Sequence, residues 1–244
     1  MDRIAVTPLY KNPALKQLTK PVLRPGGLEL TRESARACDL HPGDRVLDVG
    51  CGYGSAVRML TNEFSVNAWG IDPDMALLRS HGTFTGPQAK AQALPFRSSS
   101  FKALFCECVL SLTPDMDKSL AEFRRVLEPG GTLVLCDIHV REKRYSEELK
   151  QIPLACGFRQ AVERENMEKR VETAGFDHLE WEDLSFLLTR LAGEIIFEHG
   201  SLLNFWSKIF GGPCRSSHHT CEAIRASRPG YFRIFAKKIR RNDE

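Results

Sequence analysis

Short apolar segments alternate with amphipathic ones through the middle of the chain. Four of the apolar segments predict buried strands, at residues 45–49, 66–71, 101–109 and 132–138. Apolar positions at helical spacing predict helices between them, at residues 55–63, 75–80 and 118–127. Strands that alternate with helices are typical of a doubly wound parallel sheet. The pattern therefore predicts an α/β fold with helices on both faces of the sheet.

The last third of the chain shows more helical spacing. Helices are predicted at residues 159–174 and from Asp183 or Ser185 to Gly200, because glycine commonly follows a helix end. Two more strands are predicted at residues 176–181 and 231–236. These two would form an antiparallel hairpin at one edge of the sheet, separated by a helical insertion.

The first 28 residues differ in composition from the rest. They carry five basic side chains against one acidic side chain, and four prolines interrupt them. A Pro-Gly-Gly turn at residues 25–27 closes this segment, which is therefore predicted to be an irregular arm. Thr31 then caps a predicted helix that ends near Cys38.

Length and composition narrow the class of protein. The 244 residues suffice for one full domain with an embellishment or for two small domains, and a hydrophobic content of 42% supports a packed core. A net charge of +3 is too small to indicate a nucleic-acid binder. Uninterrupted apolar runs span at most four residues, whereas a membrane helix needs ~20. No membrane span is expected.

The N-terminal residues and the cysteines indicate the subcellular location. No apolar segment of the signal-peptide kind follows Met1, so no signal peptide is predicted. The eight cysteines are then expected to be free thiols in a reducing cytoplasm. A stretch that is predicted to be a loop holds side chains of zinc-ligand type, but their spacing matches no common finger and no metal site is predicted. These side chains are Cys214, His218, His219 and Cys221.

A glycine-rich turn follows the first predicted strand. The run VLDVGCGYG at residues 46–54 places Gly50, Gly52 and Gly54 between that strand and a helix, where the backbone can approach a ligand closely. Asp72 closes the second strand, and a carboxylate there can accept both hydroxyls of a ribose. Dinucleotide-binding folds use the same acid, so these features leave two cofactors open.

Asp48 distinguishes the two cofactors. It lies on the first strand just before the glycines, where a carboxylate would repel the pyrophosphate of a dinucleotide. The same carboxylate suits S-adenosylmethionine, which carries an ammonium and a sulfonium. The GxGxG spacing, in place of GxGxxG, favours the same choice.

Four segments of the chain follow one another in a characteristic order: VLDVGCGYG (46–54), GIDPD (70–74), ALPFRSSSF (93–101) and EFRRVLEPGGTLVLCD (122–137). Together they resemble the class I S-adenosylmethionine-dependent methyltransferases, in the small-molecule group that includes ubiquinone/menaquinone C-methyltransferase-like and arsenite methyltransferase-like proteins. The resemblance implies a Rossmann-like, seven-stranded, mostly parallel sheet with an antiparallel edge. Residues 29–244 would form the methyltransferase domain, with residues 1–28 as an arm and residues 139–158 and 185–228 as lid segments.

The resemblance also implies which residues contact the cofactor. Gly50 and Gly52 would pack against its methionine part, Asp72 would hold the ribose, and Pro73 and Met75 would border the adenine. Lys90 stands where relatives usually place an aspartate for the adenine amino group, and Gln92 can replace that acceptor through its amide oxygen. The predicted cofactor contacts are Asp48, Gly50, Cys51, Gly52, Gly54, Asp72, Pro73, Met75, Ala91, Gln92, Ala93, Cys106, Glu107 and Ser111.

Two acids are predicted to serve the chemical step. Methyl transfer from a sulfonium mainly requires alignment and exclusion of water, and a weakly acidic acceptor also needs a general base. Glu107, between two thiols near the end of an apolar strand, is predicted either to contact the methionine ammonium or to act as a base. Asp137 ends the strand at 132–138, at the sheet edge where ligands bind. Aromatic residues in the second lid segment favour a small, partly apolar acceptor.

Two alternative functions stay open at this stage. Cys106 and Cys108 on one strand face could bind a soft metalloid, which would indicate an arsenite-type methyltransferase. Lys90 and Lys102 replace residues that are usually acidic in the family, which favours a non-catalytic cofactor-binding protein on the same fold. Residues 106–112, at the end of the strand predicted at 101–109, lack the (Asp/Asn)-Pro-Pro-aromatic signature, which argues against N-methylation of nucleic acid.

Overall fold

A six-stranded mixed sheet forms the centre of the computed structural model, which describes residues 8–12, 24–79, 86–152, 156–212 and 215–239. The strand order is β2-β1-β3-β4-β6-β5. Strands β1 to β4 pair in parallel, whereas β6 runs antiparallel to both β4 and β5. The strands are β1 (Arg45–Val49), β2 (Asn67–Ile71), β3 (Phe101–Glu107), β4 (Leu127–Val140), β5 (Phe176–Asp183) and β6 (Pro229–Lys238).

Helices cover both faces of this sheet, as the alternating pattern predicted. Two clusters of buried apolar side chains, one for each face, lie between the sheet and the helices. The α-helices are α1 (Gly27–Ala37), α2 (Ser55–Phe64), α3 (Met75–Arg79), α4 (Met116–Val126), α5 (Ser146–Lys150), α6 (Arg164–Thr173), α7 (Ser185–His199), α8 (Leu202–Ile209) and α9 (Arg215–Ala226).

The sheet has six strands in the described part of the chain, and the prediction of seven is not confirmed. Beside β2, the pairing among described residues is limited to one isolated parallel bridge between Asp72 and Gln88. Pro87 precedes the bridging residue and has no backbone N–H to donate, which weakens pairing at this edge. The alternating α/β architecture and the antiparallel edge formed by β5 and β6 are confirmed.

Several predicted elements differ in extent from the structure; the strand predicted at residues 132–138, for example, extends from Leu127 to Val140. The strand predicted at residues 101–109 ends at Glu107, because Cys108 adopts a left-handed backbone conformation with φ of +58°. The helix predicted at residues 159–174 is divided, since the chain between a short 3₁₀ helix (Gly157–Gln160) and α6 pairs with β4. There the Val140 amide donates to the Val162 carbonyl oxygen at 3.1 Å.

The arm is described only at residues 8–12 and from residue 24 onward; its other residues lie outside the described ranges. Helix α1 begins at Gly27, four residues before the predicted cap Thr31, which lies buried inside the helix. Helices α7 to α9 follow β5 and include most of the predicted second lid segment. In the described ranges, no helix is both long and apolar enough to cross a bilayer.

Candidate active site

A cavity of about 730 Å³ lies at the carboxyl ends of β1, β3 and β4. Open α/β sheets bind their ligands at this edge, and the volume falls in the range of roughly 300–1,000 Å³ that is usual for ligand pockets. The glycine turn after β1 borders one side, and α7, α8 and α9 border another. The sheet therefore positions one cavity between the predicted cofactor turn and the helical insertion.

The glycine turn fits tightly against the strands beside it. The amides of Gly50 and Cys51 both donate to the Ile71 carbonyl oxygen, at 2.8 and 3.0 Å, which fixes the turn to the end of β2. Gly50 has a φ of +77°, and a Cβ on it would lie 2.2 Å from a methyl carbon of Val109. Only glycine satisfies both the backbone conformation and the close approach at this position.

Asp72 is held at the end of β2 by backbone donors. Its two carboxylate oxygens accept from the Gly52 amide at 3.0 Å and from the Asp74 amide at 2.7 Å. Burial raises the pKa of Asp72, and these hydrogen bonds oppose that increase. Each oxygen has a further lone pair, so the carboxylate can still accept hydroxyl groups from the cavity.

The described part of the arm lies beside this carboxylate. Residues 8–10 line the cavity, and Lys11 forms an ion pair with Asp74 at 2.6 Å. Burial raises the pKa of the Tyr10 phenol, and the negative charges of Asp72 and Asp74 add to that increase. The arm therefore closes the cavity next to the predicted ribose site.

Asp48 is a second buried carboxylate in the cavity wall. It is 5% exposed. Burial raises its pKa to about 8, and the negative charge of Glu107 contributes to the increase. A cation bound nearby would favour its ionised form, so Asp48 provides a site that is matched to a positively charged ligand.

Glu107 is neutralised by a buried cation. Arg24, just before α1, donates from Nη2 to Glu107 Oε2 at 2.6 Å, and both side chains are at most 5% exposed. Thr31 on α1 donates to the same oxygen at 3.0 Å. Both side chains are buried in the cavity wall, so Glu107 already has a counter-ion and a hydroxyl donor on one oxygen.

Asp137 on β4 is held by three hydrogen bonds. Its carboxylate accepts from the amide and hydroxyl of Ser111, at 2.9 and 2.7 Å, and from the Ile138 amide at 2.8 Å. Burial raises the pKa of Asp137 to about 6, and the three donors limit that increase. The carboxylate is therefore mostly ionised at neutral pH while it faces the cavity.

The two thiols of the Cys106-x-Cys108 pair lie in different parts of the structure. Cys106 packs in the core cluster beneath α4, whereas Cys108 packs against the opposite cluster and lines the cavity. The prediction that they share a strand face is wrong, because the positive φ of Cys108 turns the chain out of β3. Burial raises the pKa of Cys108 to about 12, so its thiol is protonated at neutral pH.

The predicted cofactor and catalytic residues divide into two groups. Of the described residues, ten line the cavity: Asp48, Gly50, Cys51, Gly52, Asp72, Pro73, Ala91, Gln92, Glu107 and Asp137. The other five do not line it: Gly54, Met75, Ala93, Cys106 and Ser111. For both groups, contact with a cofactor or substrate stays a prediction. Gln92 Nε2 is buried without a hydrogen-bond partner in the described ranges, so this amide can bind a ligand. The donor set fits S-adenosylmethionine.

Sequence reasoning did not identify Arg24 and Tyr10 as parts of the site. Both lie in the arm, where basic and aromatic residues carry no periodic signal. Arg24 is 83 positions from the carboxylate that it contacts, so no local spacing could have linked the two. The excess of basic residues in the arm was the only sign of a cation in this region.

The cysteine and histidine stretch is helical, and the loop prediction for it is wrong. Residues 215–226 form α9, which packs on α8 through a 3.2 Å contact between the hydroxyls of Ser207 and Ser217. His218 and His219 are exposed, and Cys214 lies outside the described residues. In the described ranges, no cluster of three histidine, cysteine or acidic side chains could hold a metal ion.

Sequence comparisons match the same part of the chain to known proteins. Residues 47–135 match a family model described as a methyltransferase domain. The chain is 30% identical over 176 residues to methyltransferase GfsG of Streptomyces halstedii, covering 67% of this chain and 63% of GfsG. It is 29% identical over 180 residues to a demethylmenaquinone methyltransferase of Mycobacterium sp. (strain KMS), covering 63% and 76%. The match thus spans slightly less than two thirds of GfsG.

The fold is similar to a solved methyltransferase structure. Phosphoethanolamine N-methyltransferase 2 of Haemonchus contortus, in complex with S-adenosylmethionine, superposes with a TM-score of 0.70 at 19% identity. The superposition covers 93% of this chain and 56% of that chain. At this identity the similarity establishes the fold, and the acceptor must be argued from the site itself.

Proposed function

We propose that this chain is a class I S-adenosylmethionine-dependent methyltransferase that transfers a methyl group to a small-molecule acceptor by in-line displacement. Its match to a methyltransferase domain at residues 47–135 and its similarity to known methyltransferases support this. One observation carries the proposal. A single cavity connects the glycine turn, Asp48 and Asp72 with an apolar wall formed by the helical insertion. A cofactor and an acceptor can therefore lie next to each other in the same enclosed space.

When bound, S-adenosylmethionine supplies a methyl group that is already activated by the sulfonium. The tasks left to the protein are alignment and exclusion of water. In this proposal Asp72 accepts the ribose hydroxyls, and Asp48 faces the ammonium of the methionine part. The glycine turn lets that part lie against the backbone, and Gln92 contacts the adenine.

Asp137 is the better candidate for a general base. Arg24 and Thr31 engage Glu107, so this carboxylate is assigned a positioning role beside the cofactor's methionine end. Asp137 faces the cavity, and its pKa of about 6 leaves it ionised at neutral pH. It can therefore accept a proton from an acceptor that must lose one.

The arsenite-type alternative loses its main support. It required two thiols on one face of a strand, and only Cys108 of the pair lines the cavity. The non-catalytic alternative rested on Lys90 and Lys102. Both are at the surface, and Lys102 lies near Glu128 at 3.9 Å, which is an ordinary solvent-exposed contact.

The lid and the location are part of the same proposal. Residues 139–158 and 185–228 would cover the acceptor, because parts of both segments line the cavity. A cytoplasmic location fits thiols that are free in the described ranges, and cell fractionation with an antibody tests it.

We further propose that the partner is a small molecule and not a nucleic acid, which titration with short oligonucleotides tests.

Isothermal titration of the protein with S-adenosylmethionine and with NAD tests which cofactor it binds. Transfer of a labelled methyl group from S-adenosylmethionine to a mixture of candidate acceptors tests the reaction. We expect the protein to bind S-adenosylmethionine and not NAD. Preferential binding of NAD would make the protein a dehydrogenase, and cofactor binding without any transfer would favour the non-catalytic alternative.

Replacing Asp72 with alanine should weaken S-adenosylmethionine binding by about 1–3 kcal/mol, since the ribose would lose hydrogen bonds to a charged acceptor. Isothermal titration measures the change. Asp117→Ala is the matched control, because Asp117 is exposed on α4 and pairs with Arg170 away from the cavity. Equal affinity in the two variants would show that the ribose assignment is wrong.

A further inference from the structure

We propose that the methyl acceptor is a neutral, predominantly apolar molecule that binds against α7, α8 and α9. This inference rests on the proposed function, because it assigns the part of the same cavity that the cofactor does not need. The evidence is the apolar surface of the three helices, the burial of its aromatic side chains, and the charges around the cavity.

The cavity wall formed by α7 and α8 is apolar, and one side chain of α9 extends this apolar surface. Helix α7 directs one face into the cavity, α8 contributes aromatic rings and α9 an aliphatic side chain. The residues that define this surface, called here the acceptor wall, are Leu188, Leu191, Ile195, Phe205, Trp206 and Ile224. Burial of a ligand's apolar surface here is favourable at about 25 cal/mol per Å².

The acceptor wall is packed rather than loosely arranged. Phe205 and Trp206 are 2% and 5% exposed, and their ring centroids lie 5.3 Å apart in an edge-to-face arrangement. The ring of His199 lies 5.4 Å from that of Phe205, at the end of α7. The contact between His199 and Phe205 joins α7 to α8, and the aromatic rings of α8 are packed, so the wall is preformed for an apolar ligand.

In the described ranges, no buried side chain offers an unpaired positive charge to an anionic acceptor at this wall. Among the described residues, the cationic side chains that line the cavity are Arg24, Lys90 and Arg225. Arg24 is paired with Glu107, whereas Lys90 and Arg225 are exposed to solvent. A phosphate or carboxylate inside the cavity would lose its hydration without gaining an enclosed counter-ion.

The carboxylate of Asp137 disfavours an anionic acceptor further. Asp137 lines the cavity, is held by neutral donors alone and is ionised at neutral pH, whereas Glu107 is already paired with Arg24. A like charge next to Asp137 would raise the free energy of the complex, whereas a neutral hydroxyl could donate a hydrogen bond to it. The same site thus selects against anions and for neutral groups that carry a proton.

Binding of a matched ligand pair to the full-length protein saturated with S-adenosylhomocysteine tests this inference. The ligands are 4-octylphenol, which is neutral, and octyl phosphate, which carries the same tail on an anionic group. Isothermal titration gives both dissociation constants. We expect 4-octylphenol to bind at least tenfold more tightly than octyl phosphate, and at least tenfold more tightly than 4-ethylphenol.

Two variants of α7 locate the binding site. Leu191→Lys places a charge in the acceptor wall and should weaken 4-octylphenol binding at least tenfold. Phe197→Lys places the same charge on the opposite face of the helix, where Phe197 is 93% exposed, and should leave binding unchanged. Both variants should bind S-adenosylhomocysteine as the wild type does, which shows that they are folded.

Three results would overturn the inference while the proposed function stands. These are tighter binding of octyl phosphate, no gain in affinity from ethyl to octyl, and equal effects of the two lysine variants. Failure of the wild type to bind S-adenosylhomocysteine would overturn the proposed function, and this inference with it.

Discussion

The carboxylates in this cavity differ in their ability to accept a proton because their surroundings differ. Glu107 and Asp137 are both acids at the carboxyl ends of strands, and the sequence gives no reason to separate them. In the structure a guanidinium neutralises Glu107, whereas Asp137 is held by neutral donors and faces the cavity. The environment of each group, and not its type, decides which one can act as a base.

The pKa of Asp137 leads to a testable pH dependence. Burial raises this pKa to about 6, so the carboxylate is ionised above that value and protonated below it. If Asp137 accepts a proton, kcat/KM should be constant above pH 7 and should fall about tenfold for each unit below pH 6. The pH profile of methyl transfer measures this. Asp137→Asn should remove the low-pH limb along with most of the activity, whereas an unchanged profile would exclude Asp137 as the base.

Contacts between elements decide how the arm joins the domain. Arg24 precedes α1, Thr31 lies on it, and both bind the end of β3 through Glu107. A second contact from the arm, between Lys11 and Asp74, lies beyond the end of β2. The arm is thereby attached to two strand ends that border the cavity, although the sequence indicated only an irregular basic segment.

Removing one partner of the buried pair should destabilise the protein strongly. Arg24→Met leaves the Glu107 carboxylate enclosed without a counter-ion, and the free energy of unfolding should fall by about 3–5 kcal/mol. Replacing both residues, as Arg24→Met with Glu107→Gln, should recover part of that loss because no charge stays buried. Urea denaturation measures both variants. A double variant less stable than the single one would contradict this account.

The aromatic residues of α7 and α8 provide a second test at this scale. Phe205 is buried against His199 and Trp206, so Phe205→Ala should lower the free energy of unfolding by about 3–5 kcal/mol. Phe197→Ala, on the exposed face of α7, should change it by at most about 0.5 kcal/mol. Thermal or urea denaturation compares the two. Similar losses in both variants would show that α7 is packed differently.

The whole molecule is organised around the carboxyl edge of its sheet. Parallel strands β1 to β4 end at the same edge, so chain segments that are far apart in sequence converge there. The arm, the glycine turn, β4 and the three helices of the insertion all reach this one cavity. A ligand that fills it would contact the arm as well as the helical insertion, and it should therefore stabilise the fold as a unit.

Cofactor binding should accordingly shift global unfolding. S-adenosylhomocysteine at one hundred times its dissociation constant should raise the free energy of unfolding by about 2.7 kcal/mol, because it binds the folded state alone. Differential scanning calorimetry would detect the higher Tm, and NAD at the same concentration is the control. A single cooperative transition that moves as a whole is expected; movement of only part of it would contradict a cavity shared by the whole fold.

The sequence by itself determined the features that depend on local pattern. Alternating strands and helices, the glycine turn and Asp72 at the end of β2 all follow from periodicity and fixed spacing, and the structure has them where they were predicted. The tertiary structure alone decided the rest: the Arg24–Glu107 pair, the separation of Cys106 from Cys108, the reduced edge beside β2 and the acceptor wall. These depend on which distant segments meet and on one backbone angle at Cys108, and neither leaves a periodic trace in the sequence.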